Sequence, residues 1–446
     1  MAEVTVVGGG LAGCEAAWQL AGRGHDVVLI EMRPERATPA HRTDRLAELV
    51  CTNSFKSLEP TNAHGLLKAE MRALGSLLLA AAEEARVPAG AALAVDRDVF
   101  AARMTAYIEA HPRIRVERSE AVELPAGPAV VATGPLTSDA LSDVFRRLLG
   151  DEGLAFYDAI APIVAFESVD RDIAYFGSRY GKGEGDDYLN CPFDRDSYHA
   201  FLDALRAADI YPGHDWERIP YFEGCLPIEV MAARGDDTLR FGPMKPVGLP
   251  DPRTGREPYA VLQLRREDRG GQMWNLVGCQ TRLRTGEQRR VFRMVPGLEA
   301  AEFLRHGSIH RNTYLNFPAR LAPFGAPQSR PDLLFAGQLT GVEGYTESAA
   351  SGILAGINLD RIVRGATPVL PPSTTMIGGL YRYLREAEPG RFAPMNSNIG
   401  LLDPLEQRIR DKRRKRELLA ERALAALSTW MRVHDVAPLP AVGVAA

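Results

Sequence analysis

The chain opens Glu3-Val4-Thr5-Val6-Val7-Gly8-Gly9-Gly10-Leu11-Ala12-Gly13, and this stretch decides the fold. Val4–Val7 is a short apolar run cut off by glycines, the pattern of a buried strand in a parallel sheet. Leu11–Ala21 then reads as a helix, Gly22–Gly24 as a turn and Val27–Glu31 as a second strand. Together they make one βαβ unit. Within it, Gly8-x-Gly10-x-x-Gly13 gives each glycine a task. Gly8 permits the tight turn, Gly10 lets the backbone approach a pyrophosphate, and Gly13 lets helix and strand pack closely. A dinucleotide's pyrophosphate then meets the N–H groups and the positive dipole end of the helix. Glu31 closes the second strand 23 residues after Gly8, where a carboxylate accepts hydrogen bonds from ribose hydroxyls. A lone GxGxxG also occurs as a turn without ligand; here strand, helix, second strand and acid stand in the required order.

Outward from this unit, Leu66–Ala85 is Ala/Leu-rich and helical, Arg113–Glu117 is extended, and Ala129–Ala132 is another apolar strand that runs into Thr133-Gly134-Pro135. From about residue 155 the texture changes to polar segments punctuated by Gly, Pro and aromatic residues, with Tyr259–Leu264 and Trp274–Val277 as strands. A buried strand returns at Asp332–Ala336. It leads into Gly337-Gln338, then Gly341, Gly344 and a small-residue helix from Ser348 to Arg364. A strand ending in Ala336-Gly337 brings a second helix N-terminus towards a ligand. With Ala132-Thr133-Gly134 the arrangement resembles the glutathione-reductase-like flavoproteins, which implies FAD rather than NAD as the resident dinucleotide. The expected fold is α/β. A Rossmann-like FAD-binding domain is split over residues 1–154 and 326–446, and an inserted α+β domain over 155–325 provides the substrate side. Residues 405–433 read as a charged helix and the last ten as a frayed tail.

The composition, 46% hydrophobic and 25% charged, is that of an ordinary globular protein. A formal charge of −4 gives no global field to hold nucleic acid, so RNA contacts fall to local basic patches. Arg282, Arg284, Arg289 and Arg290, followed by Arg293, form one such patch and are candidate phosphate contacts. The run Arg408–Arg422 mixes acids and bases at helical spacing and reads equally as a solvated face or an RNA contact. The five cysteines, Cys14, Cys51, Cys191, Cys225 and Cys279, are odd in number and include no CxxC pair. That argues against a disulfide framework or a metal site, and for reduced thiols in a cytoplasmic protein. The N-terminus reads as a strand rather than a signal segment, and no apolar run approaches the roughly 18 residues of a membrane helix. No membrane association is expected.

Four further stretches carry a family resemblance: Cys51-Thr52-Asn53-Ser54-Phe55-Lys56-Ser57; Phe222-Glu223-Gly224-Cys225-Leu226-Pro227-Ile228-Glu229-Val230-Met231-Ala232; the run from Phe241 to Leu264; and Gly286-Glu287-Gln288-Arg289-Arg290 through His310-Arg311-Asn312-Thr313. With both glycine motifs, the chain up to about residue 410 closely resembles the folate- and FAD-dependent tRNA uracil-5-methyltransferases, bacterial enzymes that form ribothymidine in the T-loop. Their larger relatives, the glucose-inhibited-division flavoproteins, modify wobble uridine and carry a long C-terminal helical extension for which 446 residues leave no room. Cys279 departs from the family pattern, which has an aromatic residue there, and reads as a packing position. The resemblance implies FAD, 5,10-methylenetetrahydrofolate as carbon donor, NADH or NADPH as electron source, tRNA as substrate and no obligate protein partner.

The chemistry explains why such an enzyme needs thiols. Uracil C5 is a poor nucleophile, and a thiolate adding at C6 makes it carbanion-like. C5 then takes a one-carbon unit, loses its proton and gains a hydride; the base must be extruded from folded RNA to be reached. Residue types alone leave either thiol open to either role. The resemblance assigns Cys225 as the C6 nucleophile and Cys51 as the general base at C5, with Lys56 as a local cation favouring thiolate. Cys14, Cys191 and Cys279 read as small buried apolar residues. In the second glycine motif, Gly337, Gln338, Gly344 and Tyr345 are candidate flavin contacts. Tyr345 either stacks on a ring system or fills the domain junction. His310 receives no proton role. Two other readings stand beside the methyltransferase: a wobble-uridine-modifying flavoprotein subunit, and a small-molecule FAD oxidoreductase needing neither RNA nor folate. The pair Cys51 and Cys225 favours the methyltransferase.

Overall fold

The βαβ start forms as its residues dictate. Glu3–Val7 and Asp26–Glu31 are parallel neighbours, Thr5 opposite Val28 and Val7 opposite Ile30, with helix Leu11–Gly22 crossing between them. The computed structural model describes residues 2–38, 40–150, 154–183, 185, 187–211 and 226–440, with the backbone alone for 154–160 and 309–311. Ala129–Val131 pairs in parallel with Glu3–Val7, and Leu333–Phe335 in turn with Ala129–Val131; Ile114–Arg118 closes the other edge beside Asp26–Glu31. The five-stranded sheet thus draws on both ends of the chain. Its central strands are buried on both faces, as continuous Val/Ile/Leu runs require.

Helix Leu11–Gly22 is buried almost all round, because Tyr345–Val363 lies against its far side. Small residues set the distance between the two helices. A Cβ on Gly352 would stand 2.1 Å from Ala12 O, and one on Gly356 2.9 Å from Ala16 O. Such contact needs glycine, since a side chain would drive the backbones apart.

The intervening segment builds a second sheet of six strands in the order Tyr175–Phe176, Tyr188–Phe193, Ala260–Arg266, Met273–Leu276, Ile163–Ala165 and Phe303–Arg305, every pair antiparallel. It has its own core, around Phe193, Tyr198, Phe201, Trp274 and Phe292, under helices Arg195–Ala207 and Thr285–Phe292. Leu154–Ile160 and Ser308–Tyr314 pair antiparallel as the outgoing and returning connections.

Several expected elements differ in detail. The stretch expected as one helix over 66–85 is two, Ala63–Ala73 and Leu77–Glu84. Gly75, at φ +80°, breaks it, and Ser76 caps the second helix by accepting from Leu79 N–H. The charged C-terminal helix begins only at Lys412. The tail is not frayed through residue 440: Leu439 is buried against Gly22 and Gly75, while 441–446 lie outside the described residues. No helix among the described residues is long and apolar enough to cross a membrane.

Candidate active site

A cleft opens at the carboxyl ends of Glu3–Val7, Asp26–Glu31 and Ala129–Val131, where parallel sheets bind ligands. The first residues of helices Leu11–Gly22 and Tyr345–Val363 face it. Gly8, Gly10, Glu31, Gly134, Gly337, Gln338 and Tyr345 line it; Gly13 and Gly344 do not. Gly13 lies behind the turn, where a Cβ would stand 1.7 Å from Gly8 O, and Gly344 caps its helix at φ +112° with Glu347 beneath it. Gly10 is different. Its φ of −77° suits any residue, and a Cβ there would meet no atom of the described residues within 4 Å. Neither strain nor packing asks for glycine at this position, so the requirement comes from whatever fills the cleft. A pyrophosphate lying against the backbone fits that requirement.

Glu31 is held from two sides. Its Oε2 accepts Gly9 N–H at 2.8 Å, and its Oε1 accepts Arg33 Nε at 2.8 Å and Arg33 N–H at 3.0 Å. Burial works against its charge, yet the Arg33 hydrogen bonds and guanidinium, with Gly9 N–H, keep the carboxyl below the usual range. It therefore presents a fixed anion to the cleft, suited to ribose hydroxyls. In the second motif, Gly337 at φ +78° donates its N–H to Ser351 Oγ, and Gln338 Nε2 donates to Glu343.

Tyr345 carries the geometry from the cleft to Cys51. Its ring borders the cleft and meets Phe55 edge-on at 6.0 Å, while its phenol oxygen accepts Cys51 N–H at 2.7 Å and Thr52 N–H at 3.2 Å. Val50 lines the cleft directly. Cys51, half-buried, thus sits at the cleft's edge. The cation that sequence proximity offered is displaced: the Lys56 charge acts on Glu347, whereas Arg97 donates to the carbonyls of Leu49, Val50 and Cys51. Arg305 donates to Val50 O at 3.1 Å. The next residues are fastened to the second sheet, with Arg265 donating to Thr52 Oγ1 and Asn53 Oδ1, and Asn53 Nδ2 donating to Arg266 O. The contacts of Arg97, Arg305 and Arg265 with this loop were not foreseen in the sequence, since no local spacing connects these residues to Cys51.

Cys225, with the Phe222–Cys225 part of its motif, lies outside the described residues. The chain is described again from Leu226, where Ile228 N–H donates to Gln280 O and Glu229 accepts from Thr281 and Arg282. Cys14, Cys191 and Cys279 are buried, and burial pushes their thiols far above the ordinary range, as expected for packing residues. The four candidate RNA arginines separate. Arg289 and Arg290 are exposed on helix Thr285–Phe292 and Arg284 at its N-cap, with Arg290 held by Glu287 at 2.5 Å. Arg282 instead turns inward towards Glu229. His310 falls in the stretch described by backbone alone.

The model of the glucose inhibited division protein A family matches residues 3–367. The chain is 58% identical over 429 residues to a Geobacter sulfurreducens protein named methylenetetrahydrofolate–tRNA-(uracil-5-)-methyltransferase TrmFO, covering 96% of this chain and 98% of that one. It is 55% identical over 441 residues to a protein of the same name from Symbiobacterium thermophilum, covering 98% and 99%. Among solved structures, Aquifex aeolicus GidA in its form II crystal shares the fold with a TM-score of 0.67 at 18% identity, over 96% of this chain and 73% of that one. The chain belongs to the glucose inhibited division protein A family, within its TrmFO group of methylenetetrahydrofolate–tRNA-(uracil-5-)-methyltransferases.

Proposed function

We propose that this protein transfers the one-carbon unit of 5,10-methylenetetrahydrofolate to C5 of a T-loop uridine in tRNA, with FAD as immediate reductant and NADH or NADPH as electron source. The names of its relatives and the dinucleotide cleft support this reading. The observation that carries it is the shared phenol of Tyr345, which borders the cleft and grips the backbone of Cys51.

FAD would be held by the Gly8–Gly10 turn and the N-terminus of helix Leu11–Gly22 at its pyrophosphate, by Glu31 at a ribose, and by Gly134, Gly337, Gln338 and Tyr345 along the rest of the cleft. Bound in its reduced form, it supplies the electron pair that turns a transferred methylene into methyl. Cys51, at the cleft's edge, would take the C5 proton as thiolate, and Cys225 would make the attack at C6. Tyr345, Arg97 and Arg265 orient the Cys51 loop. Arg284, Arg289 and Arg290 on the inserted unit, residues 155–325, would meet phosphates, with Arg282 behind them. A tRNA substrate places the protein in the cytoplasm, and the reaction as written needs no partner protein.

The test is incubation of the flavin-loaded protein with unmodified tRNA, labelled methylenetetrahydrofolate and NADH or NADPH, followed by nucleoside analysis. Label in 5-methyluridine at one T-loop position is expected; its absence with both nicotinamides would overturn the proposal.

A further inference from the structure

The run from Arg408 to Arg416 sets seven cations against Asp411 alone, in a chain whose formal charge is −4. All seven are exposed. Helix Lys412–Val433 begins Lys412-Arg413-Arg414-Lys415, with no acid in its first turn. Free N–H groups and the dipole disfavour cations at that end. Asp411 caps the helix by accepting Arg414 N–H at 2.6 Å, so helix formation itself gives no reason for the cations. They divide between two faces. Arg413 lies 3.1 Å from Glu417, and Arg414 lies 3.3 Å from Glu417 and 3.4 Å from Glu421; these pairs form an ordinary solvated face. Lys412 and Arg416 lie elsewhere. The helix buries Leu419, Ala420, Ala423, Leu427 and Trp430 in the core. Lys412 stands seven residues before Leu419 and Arg416 seven before Ala423, so both continue the buried stripe past the point where the helix leaves the core. Lys415, four before Leu419, borders the same stripe. None of the three enters an ion pair among the described residues. A merely solvated helix carries its cations opposite the packed stripe; here the stripe itself turns cationic.

We propose that Lys412, Lys415 and Arg416 form a second phosphate-binding surface for the tRNA substrate, separate from the arginines of helix Thr285–Phe292; the inference rests on the tRNA reading above. Three unpaired cations in one patch suit a row of backbone phosphates, which gives affinity and register without reading sequence. The patch stands on a fixed support. Below it the helix is packed in the core, and Arg422 donates to the carbonyls of Asp403 and Pro404. An anionic lipid surface fits less well. A helix that seeks a membrane needs a free apolar face beside its cations, and the apolar face of this helix is already buried in the protein.

The probe is unmodified tRNA, bound to the flavin-loaded protein and measured by filter binding across ionic strength. The triple variant Lys412→Gln, Lys415→Gln, Arg416→Gln should weaken binding and lower the slope of log affinity against log salt by about two to three. The control triple Arg147→Gln, Arg195→Gln, Arg256→Gln removes the same charge from three exposed arginines elsewhere and should leave the slope near that of wild type. A slope lowered no further in the first triple than in the control overturns the proposal. A second measurement needs no variant. Acetylation of Lys412 and Lys415 in the wild-type protein, followed by peptide mass spectrometry, should slow when tRNA is added. Unchanged acetylation overturns the proposal. So does protection by vesicles of phosphatidylglycerol and phosphatidylcholine but not by tRNA, which would make the patch a membrane surface. Failure of the underlying reading shows separately, as wild-type protein that forms no 5-methyluridine.

Discussion

At position 10 an added methyl group would meet no atom of the described residues within 4 Å, so the effect of substitution there isolates the ligand from the fold. Gly10→Val is expected to purify folded, by circular dichroism, but without flavin absorbance; a yellow Gly10→Val protein would remove the pyrophosphate from this turn. Cys51→Ala and Cys225→Ala are each expected to abolish methyl formation while flavin stays bound, measured by nucleoside analysis and absorbance on the same preparations. At this scale the sequence was most informative where backbone chemistry fixes spacing. Gly8, Gly10 and Glu31 were legible as residues that line the cleft, and Gly13 as the close approach behind the turn, because the motif sets them in that order. Tyr345 was legible as a cleft residue but not for its phenol, whose partners are Cys51 and Thr52, 294 and 293 residues away.

Two elements decide whether the cleft keeps its shape. Helices Leu11–Gly22 and Tyr345–Val363 touch through Ala12 and Gly352. Gly352→Val should force the pair apart, costing on the order of 1–3 kcal/mol, with a lowered Tm and weakened flavin retention; an unchanged Tm would contradict the packing. The first turn of the second helix carries Glu347, which accepts Ser397 N–H and Oγ and lies 3.3 Å from His64 Nδ1. Burial opposes its charge, but His64, Lys56 and Ser397 bring its carboxyl down to about 2. A folded-state value below the unfolded one stabilises the protein above the ordinary carboxylate value, and that stability is lost as pH falls towards about 2. Glu347→Gln should therefore flatten the fall of Tm below about pH 4.5; an unaltered acid profile would remove Glu347 from the linkage. The break between Ala63–Ala73 and Leu77–Glu84 was legible in principle, since Gly75-Ser76 pairs a helix terminator with an N-cap residue, but the surrounding Ala/Leu run concealed it.

At the scale of the whole molecule, the Cys51 loop links the cleft of the five-stranded sheet to the six-stranded one. Arg97 pairs with Glu267 across 170 residues of sequence, and Arg305 reaches Val50 across 255. Each of these residues looks like a solvated charge in its local context, so periodicity and motif spacing had no means of joining them. The return of the chain to the first sheet could be read from the strand at Leu333–Phe335, because a parallel strand announces itself as a continuous apolar run. Likewise the arginines of helix Thr285–Phe292 were visible as a basic cluster, but the inward turn of Arg282 follows from Glu229, which only folding brings near. Replacing Arg284 and Arg289 together should weaken tRNA binding and lower its salt dependence by up to about two phosphate contacts, read by filter binding across ionic strength. Unchanged affinity would move the RNA surface elsewhere.

The most direct measurement is release of tritium from C5 of uracil-labelled, unmodified tRNA during turnover with methylenetetrahydrofolate and a nicotinamide reductant. Wild-type protein is expected to release tritium in step with methyl formation, and Cys51→Ala, still carrying flavin, to release none. Tritium release at the wild-type rate by Cys51→Ala would contradict the assignment of this thiol, held at the cleft by Tyr345, as the base that acts on C5.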